Sequence, residues 1–248
     1  MTRPAHLQDI VQGLVSARQS GIPWPIPPQQ LALSLDEAYV VQAGVAERLG
    51  WFPDGPRAWK VGGTSEITAA PLPQVLSSPA TWDAAPQGEV LVEAELAFRL
   101  ARTPDRAEDV LACLGSVCVS VEVIGTRLAQ GLDAPAHWKL ADQGVHAGLI
   151  IGPESHAAAC AGFTLDDWRQ QACQMSVNGQ VVRQVRGSHP GVSPLTTLPW
   201  LVDHAARHAG GLRAGDLITT GAWTVLPAHP GELVEVMFEG LGAVSVRF

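Results

Sequence analysis

The sequence predicts an α+β protein in which helices come first and a large mixed β structure follows. The 248 residues, of which 46% are hydrophobic and 16% charged, are enough to form one well-packed globular domain. Near the N-terminus, apolar residues recur at helical spacing. From Ala58 onward the pattern changes to short apolar runs with a period of two, separated by Gly, Pro and Asn turns, which is typical of strands.

Three segments are predicted to be helical: His6–Ser16, Asp36–Leu49 and Leu198–Ala209. The proline-rich stretch Ile22–Pro28 cannot continue the first helix and is expected to be an extended connector. Ser34 and Glu37 have the spacing of a capping box, in which each side chain bonds the other residue's backbone N–H, so they indicate where the second helix begins. The pair Gly210–Gly211 favours a left-handed end to the third helix.

The β region is predicted to contain several strands, the clearest being Glu89–Leu100, Ser116–Ile124, Ala147–Ile151, Gln174–Val185, Asp216–Thr220 and the closing pair within Leu233–Phe248. Asn178–Gly179 indicates a two-residue hairpin, because both central residues of such a turn must accept a positive φ. Glu239–Gly240 suggests a second hairpin near the end.

Charge and composition exclude several classes of function. There are 16 Lys and Arg residues against 24 Asp and Glu, and the net charge of -8 would repel nucleic acid and anionic lipid. The sequence contains no apolar run of the roughly 20 residues that a membrane helix needs and no visible export signal, so the cytoplasm is expected. It also lacks the GxSxG, GxGxxG and phosphate-loop motifs. The partner is therefore expected to be a small molecule or another protein.

The cysteines and lysines are informative because they are few. Four cysteines without a CxxC pair are expected to be reduced core residues. The only lysines are Lys60 and Lys139, and each directly follows a tryptophan. A lysine beside a bulky apolar residue is more prone to desolvation than one in a charged run, and desolvation changes its pKa.

Two glutamates lie on one face of the strand Val90–Phe98. Side chains alternate along a strand, so Glu93 and Glu95 share a face opposite a continuous apolar one. Adjacent carboxylates repel each other and cost free energy in an apolar strand unless water or a cation neutralises them. A solvated strand face is the alternative to a functional site.

A third glutamate, Glu122, lies in the almost wholly apolar run Val117–Ile124. Three carboxylates on neighbouring strands would form an all-oxygen site suited to Mg²⁺ or Mn²⁺. The alternative is that Glu122 forms a salt bridge with an arginine.

Six segments together resemble the fumarylacetoacetate hydrolase superfamily, and within it the branch of 2-keto-4-pentenoate hydratases and 4-oxalocrotonate decarboxylases. Trp59–Ser65 is similar to the GWKVGLTS motif of that branch, and Val92–Phe98 is similar to its metal-binding strand. The other segments are Ser34–Gln42, Val121–Arg127, Leu140–Gln143 and Leu212–Gly221. The similarity covers nearly the whole chain.

The resemblance implies a fold and an assembly. It implies a helical segment of residues 1–57 packed on a catalytic domain of residues 58–248, in which the strands wrap into a β-roll or sandwich, with one structural unit overall. It also implies a homo-oligomer, a dimer or larger, and allows association with a sister enzyme of the same pathway.

The resemblance also implies the members of the site. Glu93, Glu95 and Glu122 would hold Mg²⁺ or Mn²⁺, and Lys60 would move the proton that interconverts dienol and keto forms. Asp142 and Gln143 would position water, and Gln143 and Thr220 would contact the substrate. For Lys139, which matches no motif, contact with a substrate carboxylate and a surface charge at a strand end both remain open.

The function implied is hydration of a 2-hydroxy-2,4-dienoate, a small 2-oxo acid derivative, in the catabolism of aromatic compounds. Decarboxylation of a 2-oxo diacid and C–C hydrolysis of an acylpyruvate are alternatives on the same metal site. A non-catalytic partner subunit of a sister enzyme is the alternative of a different class. Residues that depart from the branch, such as Gly63, leave the substrate open.

Overall fold

The computed structural model describes residues 4–28, 32–83, 90–160 and 162–248, which form two compact units. The first unit consists of the described residues of Met1–Gly55 and Gly125–Ala147, and the second of those of Pro56–Ile124 and Gly148–Phe248. Residues 125–147 are predicted from the sequence to belong to the β domain. The structure groups them with the N-terminal helices because Trp138, Leu140 and Ala141 are buried in the core of those helices.

The described part of the first unit contains three α-helices: α1 (Ala5–Ser20), α2 (Leu35–Leu49) and α3 (Ala136–Ala141). Its core is formed by Ile10 and Leu14 of α1 and Val41 of α2, together with Trp138. Both helices predicted here are confirmed. The capping box of Ser34 with Glu37 is present.

Lys139 lies in the last turn of α3, so the prediction that it marks a strand end is wrong. Its Nζ donates a hydrogen bond to the carbonyl oxygen of Leu132 at 3.1 Å. The helix is only six residues long, and Pro135 is its N-cap residue. A segment this short carries too little periodicity for its type to be recognised from sequence.

The strands of the second unit, with their bounds in chain order, are β1 (Ala58–Gly62), β2 (Thr68–Pro71), β3 (Val75–Ser77), β4 (Ala80–Thr81), β5 (Val90–Leu100), β6 (Leu114–Ile124), β7 (His146–Ile151), β8 (Ser155–His156), β9 (Ala172–Val177), β10 (Gln180–Arg186), β11 (Leu217–Thr219), β12 (Thr224–Ala228), β13 (Leu233–Phe238) and β14 (Gly242–Arg247). The predicted strands are confirmed, except that Glu89 lies outside the described residues.

The strands form two sheets. The larger has the order β2-β1-β11-β5-β6-β7-β3, with β12 also paired to β5 and β8 to β6. In this sheet β1 and β11 are parallel, whereas β11, β12 and β6 all run antiparallel to β5. The smaller sheet has the order β10-β9-β13-β14-β4. The arrangement is the mixed β structure that the sequence predicts.

The described part of the second unit also contains two α-helices: α4 (Leu165–Gln170) and α5 (Leu198–Ala209). The bounds of α5 are those predicted, and Gly210 ends it with φ +77°. The predicted turn between β9 and β10 is confirmed, since Asn178 and Gly179 have φ values of +50° and +80°. Within the described ranges all four cysteines are free and buried, as expected. No helix among the described residues has the length and apolar character needed to cross a membrane.

Candidate metal centre

The three glutamates selected from the sequence lie together on the larger sheet. Glu93 and Glu95 point to the same face of β5, and Glu122 of β6 is the direct cross-strand partner of Glu93. One carboxylate oxygen from each glutamate lies within 4.8 Å of one from each of the others. The pairing of β5 with β6 therefore converts a sequence pattern into a compact acidic cluster.

The acidic cluster is desolvated because the face of the sheet that carries it continues into an apolar cluster. Glu95 is 1% exposed and Glu122 is 0% exposed. The neighbouring apolar cluster consists of Ala58, Leu72, Ala97, Cys118, Leu149 and Leu217. Ala97 follows Glu95 by two residues and Cys118 precedes Glu122 by four, so Ala97 and Cys118 point to the same face of the sheet as the glutamates. The alternative considered for this strand was a face exposed to solvent. It does not apply to Glu95 and Glu122, because their carboxylates are buried.

Lys60 of β1 brings a positive charge to the cluster. Its Nζ lies 2.7 Å from Oε1 of Glu122, and its side chain is 21% exposed. Two strands, β11 and β5, separate β1 from β6, which corresponds to about 14 Å on a flat sheet at roughly 4.8 Å between strands. The contact therefore requires a sheet that curls around this face. The salt bridge considered as the alternative for Glu122 exists, but with a lysine inside the cluster.

The pKa values show how poorly the charges are compensated. Burial, and after it the charges of Glu122 and Glu93, raise the pKa of Glu95 to about 8. Burial also raises the pKa of Glu93. Burial by itself lowers the pKa of Lys60, but the three carboxylates outweigh it and raise that pKa. Among the described residues, Lys60 is the cation that acts on the pKa values of Glu93 and Glu95, against three carboxyls, so the cluster has room for further positive charge.

Two buried hydroxyl groups, which the sequence analysis did not identify, support Glu95. Thr219 of β11 donates a hydrogen bond to Oε2 of Glu95, and the hydroxyl oxygens of Ser120 and Thr219 are 3.3 Å apart. Ser120 could have been recognised, because it precedes Glu122 by two residues and shares its face. Thr219 could not, because its pairing with β5 joins distant parts of the sequence.

Thr220 directly follows β11, at the point where β5 changes partner from β11 to β12. Its hydroxyl donates to the carbonyl oxygen of Leu96 at 3.1 Å, and its own carbonyl oxygen lies 2.8 Å from Nε2 of His189. Thr220 is 1% exposed. The hydroxyl of Thr220 therefore makes a structural hydrogen bond to the backbone. Contact of Thr220 with a substrate stays a prediction.

Asp142 and Gln143 belong to the first unit. The carboxylate of Asp142 accepts hydrogen bonds from the Thr126 hydroxyl at 2.8 Å, the Arg127 backbone N–H at 2.7 Å and the Arg127 Nε at 2.6 Å, with Arg18 at 3.5 Å. Gln143 is buried and has φ +58°. Asp142 therefore stabilises its own unit, and a role of either residue on water stays a prediction.

The donor set of the acidic cluster suits a hard divalent cation. Carboxylate oxygens are the ligands that Mg²⁺ and Mn²⁺ prefer, and three of them converge here. A lysine ammonium within hydrogen-bond distance of the same cluster could exchange a proton with a bound molecule. The arrangement can therefore combine Lewis-acid and proton-transfer chemistry.

The family model of the fumarylacetoacetate (FAA) hydrolase C-terminal domain matches residues 65–248 of this sequence. The chain belongs to the fumarylacetoacetate hydrolase family. The match includes Glu93, Glu95 and Glu122, whereas Lys60 precedes it. Membership confirms the family resemblance seen in the sequence and places the chain in an enzymatic family.

Relatives within this family have names of the expected branch. A 2-keto-4-pentenoate hydratase of Paraburkholderia xenovorans is 26% identical over 99% of this chain and 96% of its own length. The structure of a 4-oxalocrotonate decarboxylase from Pseudomonas putida G7, complexed with magnesium and adipate, matches with a TM-score of 0.82 at 21% identity, covering 100% of this chain and 99% of that one. A fumarylpyruvate hydrolase from Pseudomonas aeruginosa, in complex with Mn²⁺ and pyruvate, matches with a TM-score of 0.56 at 17% identity, covering 78% and 89%. These structures confirm the predicted fold class.

Proposed function

We propose that this chain is a divalent-metal-dependent hydratase that adds water to a 2-hydroxy-2,4-dienoate in the catabolism of aromatic compounds. The observation that carries the proposal is the buried cluster of Glu93, Glu95 and Glu122 with Lys60 at 2.7 Å from one of its oxygens. The hydratase name of a relative that matches over almost its full length supports the choice of reaction.

The three glutamates would hold Mg²⁺ or Mn²⁺. Such an ion, when bound, supplies Lewis-acid polarisation of a carbonyl oxygen. Magnesium in one structural neighbour and Mn²⁺ in another support this assignment. The carboxylates themselves would fix the charge and position of the site, because β5 and β6 hold them in register.

Lys60 would transfer the proton. Its Nζ lies 2.7 Å from Glu122, within the cluster that would hold the metal and its substrate, so it would donate a proton to a carbon or oxygen of the bound substrate and recover it later. We retain Asp142 and Gln143 as the proposed pair that positions water, and Thr220 and Lys139 as proposed substrate contacts. A homo-oligomer in the cytoplasm is part of the same proposal.

The reaction is tested with a panel of 2-hydroxy-2,4-dienoates, 2-oxo diacids and acylpyruvates in the presence of Mg²⁺, with products identified by NMR. We expect a hydrated product from a dienoate. Release of carbon dioxide, or an acyl fragment without hydrated product, would replace the hydratase with the decarboxylase or C–C hydrolase and leave the metal site in place.

A non-catalytic partner subunit is distinguished by a separate measurement. A ligand that binds only the native state raises its apparent stability. We expect Mg²⁺ or Mn²⁺ to raise the melting temperature of the wild-type protein. An unchanged melting temperature at millimolar metal, together with no turnover on the panel, would favour the partner subunit.

A further inference from the structure

Glu95 is the most deeply supported carboxylate of the acidic cluster. It lies on β5 between Ser120 of β6, its direct cross-strand partner, and Thr219 of β11 on the other side. Ser120 and Thr219 are both 0% exposed. Polar side chains this deep in a sheet are retained at a cost in free energy unless they are hydrogen-bonded.

The hydroxyl protons can be assigned by counting donors. Thr219 has one hydroxyl proton, and it goes to Oε2 of Glu95. The contact of 3.3 Å between Ser120 and Thr219 must then use the proton of Ser120. The result is a chain of two hydrogen bonds, from Ser120 to Thr219 to Glu95, that terminates on one defined carboxylate oxygen.

We propose that Ser120 and Thr219 are positioning residues that restrict Glu95 to one metal-binding oxygen and thereby make the site selective for Mg²⁺ over Ca²⁺. Since Oε2 already accepts the Thr219 proton, Oε1 would be the oxygen of Glu95 that is left to a bound ion. Mg²⁺ requires near-octahedral coordination by six ligands, whereas Ca²⁺ takes six to eight and readily binds carboxylates through both oxygens. The inference rests on the proposed metal site formed by Glu93, Glu95 and Glu122.

The structure offers a matched pair of variants. Thr219→Val removes the hydroxyl that bonds Glu95 with little change in shape. Thr220→Val removes the hydroxyl of the next residue, which is equally buried but donates to the backbone of Leu96. Both proteins are titrated with Mg²⁺ and with Ca²⁺ by calorimetry, without substrate, and their melting temperatures are measured in EDTA.

We expect Thr219→Val to weaken Mg²⁺ binding by about 10-fold or more and to shift the affinity ratio toward Ca²⁺ by a similar factor, since loss of such a supporting group costs roughly 10- to 100-fold in affinity. Thr219→Ser restores the hydroxyl and should recover the wild-type ratio. Thr220→Val should keep that ratio whatever its effect on melting temperature.

Failure of the inference and failure of the metal site give different results. If the wild-type protein binds neither ion, the metal site is wrong. If it binds Mg²⁺ and Thr219→Val keeps the wild-type affinity ratio, the positioning role is wrong. Should Thr219→Val not fold, Ser120→Ala provides the test, with an expected loss in Mg²⁺ affinity of roughly threefold from one neutral hydrogen bond, and an unchanged affinity overturns the inference.

Discussion

Replacing Glu95 by glutamine should stabilise the metal-free protein and abolish its stabilisation by metal. The pKa of Glu95 is raised from 4.5 to about 8, chiefly by burial. In the metal-free folded state at pH 7 this carboxyl therefore holds a proton that the unfolded chain does not hold. Glutamine has a similar shape, carries no charge, and its carbonyl oxygen can still accept the hydrogen bond from Thr219.

The size of the stabilisation follows from the interval between the pKa of Glu95 in the unfolded chain and the pH of the measurement. Each pH unit between 4.5 and 7 costs about 1.36 kcal/mol, which gives an upper value of about 3 kcal/mol at pH 7. Glu93, Glu122 and Lys60 titrate together with Glu95, so only part of this free energy belongs to Glu95. We therefore expect Glu95→Gln to raise the free energy of unfolding by about 1 to 3 kcal/mol. The contribution of the protonated Glu95 carboxyl to the free energy of unfolding is complete below pH 4.5 and is lost as the pH rises through 8. The stability advantage of Glu95→Gln over the wild-type protein should therefore grow between these two pH values.

The assay is urea unfolding followed by tryptophan fluorescence at pH 5, 7 and 8.5, in EDTA and in Mg²⁺. A metal concentration 100 times the dissociation constant should stabilise the wild-type protein by about 2.7 kcal/mol and the variant far less, so the stability advantage of the variant in EDTA should shrink by about that amount in Mg²⁺. Glu154→Gln is the control, because Arg99 and Ser116 lower the pKa of Glu154 and the same substitution there should not stabilise. A variant less stable than wild type in EDTA at pH 8.5, or equally stabilised by Mg²⁺, would refute the reasoning.

Three further predictions concern single side chains. Lys60→Met should retain Mg²⁺ binding by calorimetry and reduce turnover about 10²- to 10⁴-fold; near-wild-type rates would exclude Lys60 as the proton donor. Burial lowers the pKa of His204 from 6.5 to about 4, so the free energy of unfolding of the wild-type protein should fall as the pH drops through this interval. The free energy of unfolding of His204→Phe should fall less, and parallel pH dependences of the two proteins would contradict this. Ser34→Ala should cost about 1 kcal/mol in urea unfolding by removing the capping box, with exposed Ser20→Ala near neutral.

Features encoded by neighbouring residues were predictable from the sequence. The capping box of Ser34 and the turn at Asn178–Gly179 depend on residues at most three positions apart, and both are present. The shared face of Glu93 and Glu95 follows from the two-residue period of a strand. The isolated charge of Glu122 in an apolar strand was a sufficient signal that it needed a partner.

Features that depend on distant pairing were not predictable. Lys60 reaches Glu122 only because the sheet curls across two intervening strands, and no local pattern encodes that curvature. The role of Thr219 depends on the pairing of β11 with both β1 and β5. The six-residue helix that carries Lys139 was missed because tertiary burial of Trp138 stabilises it more than its own sequence does.

The position of β11 in the larger sheet has a consequence for how the chain folds during synthesis. β1 reaches β5 only through β11, so Lys60 cannot take its place beside the glutamates until residue 219 has been made. The third glutamate is already complete at residue 122, and at about 5–20 residues per second the ribosome needs several seconds to make the chain between them. Pairing of β5 with β6 in that interval would bring three carboxyls together with neither lysine nor Thr219 against them. Because their mutual repulsion opposes this pairing, we expect divalent ions in the surrounding solution to raise the yield of folded protein.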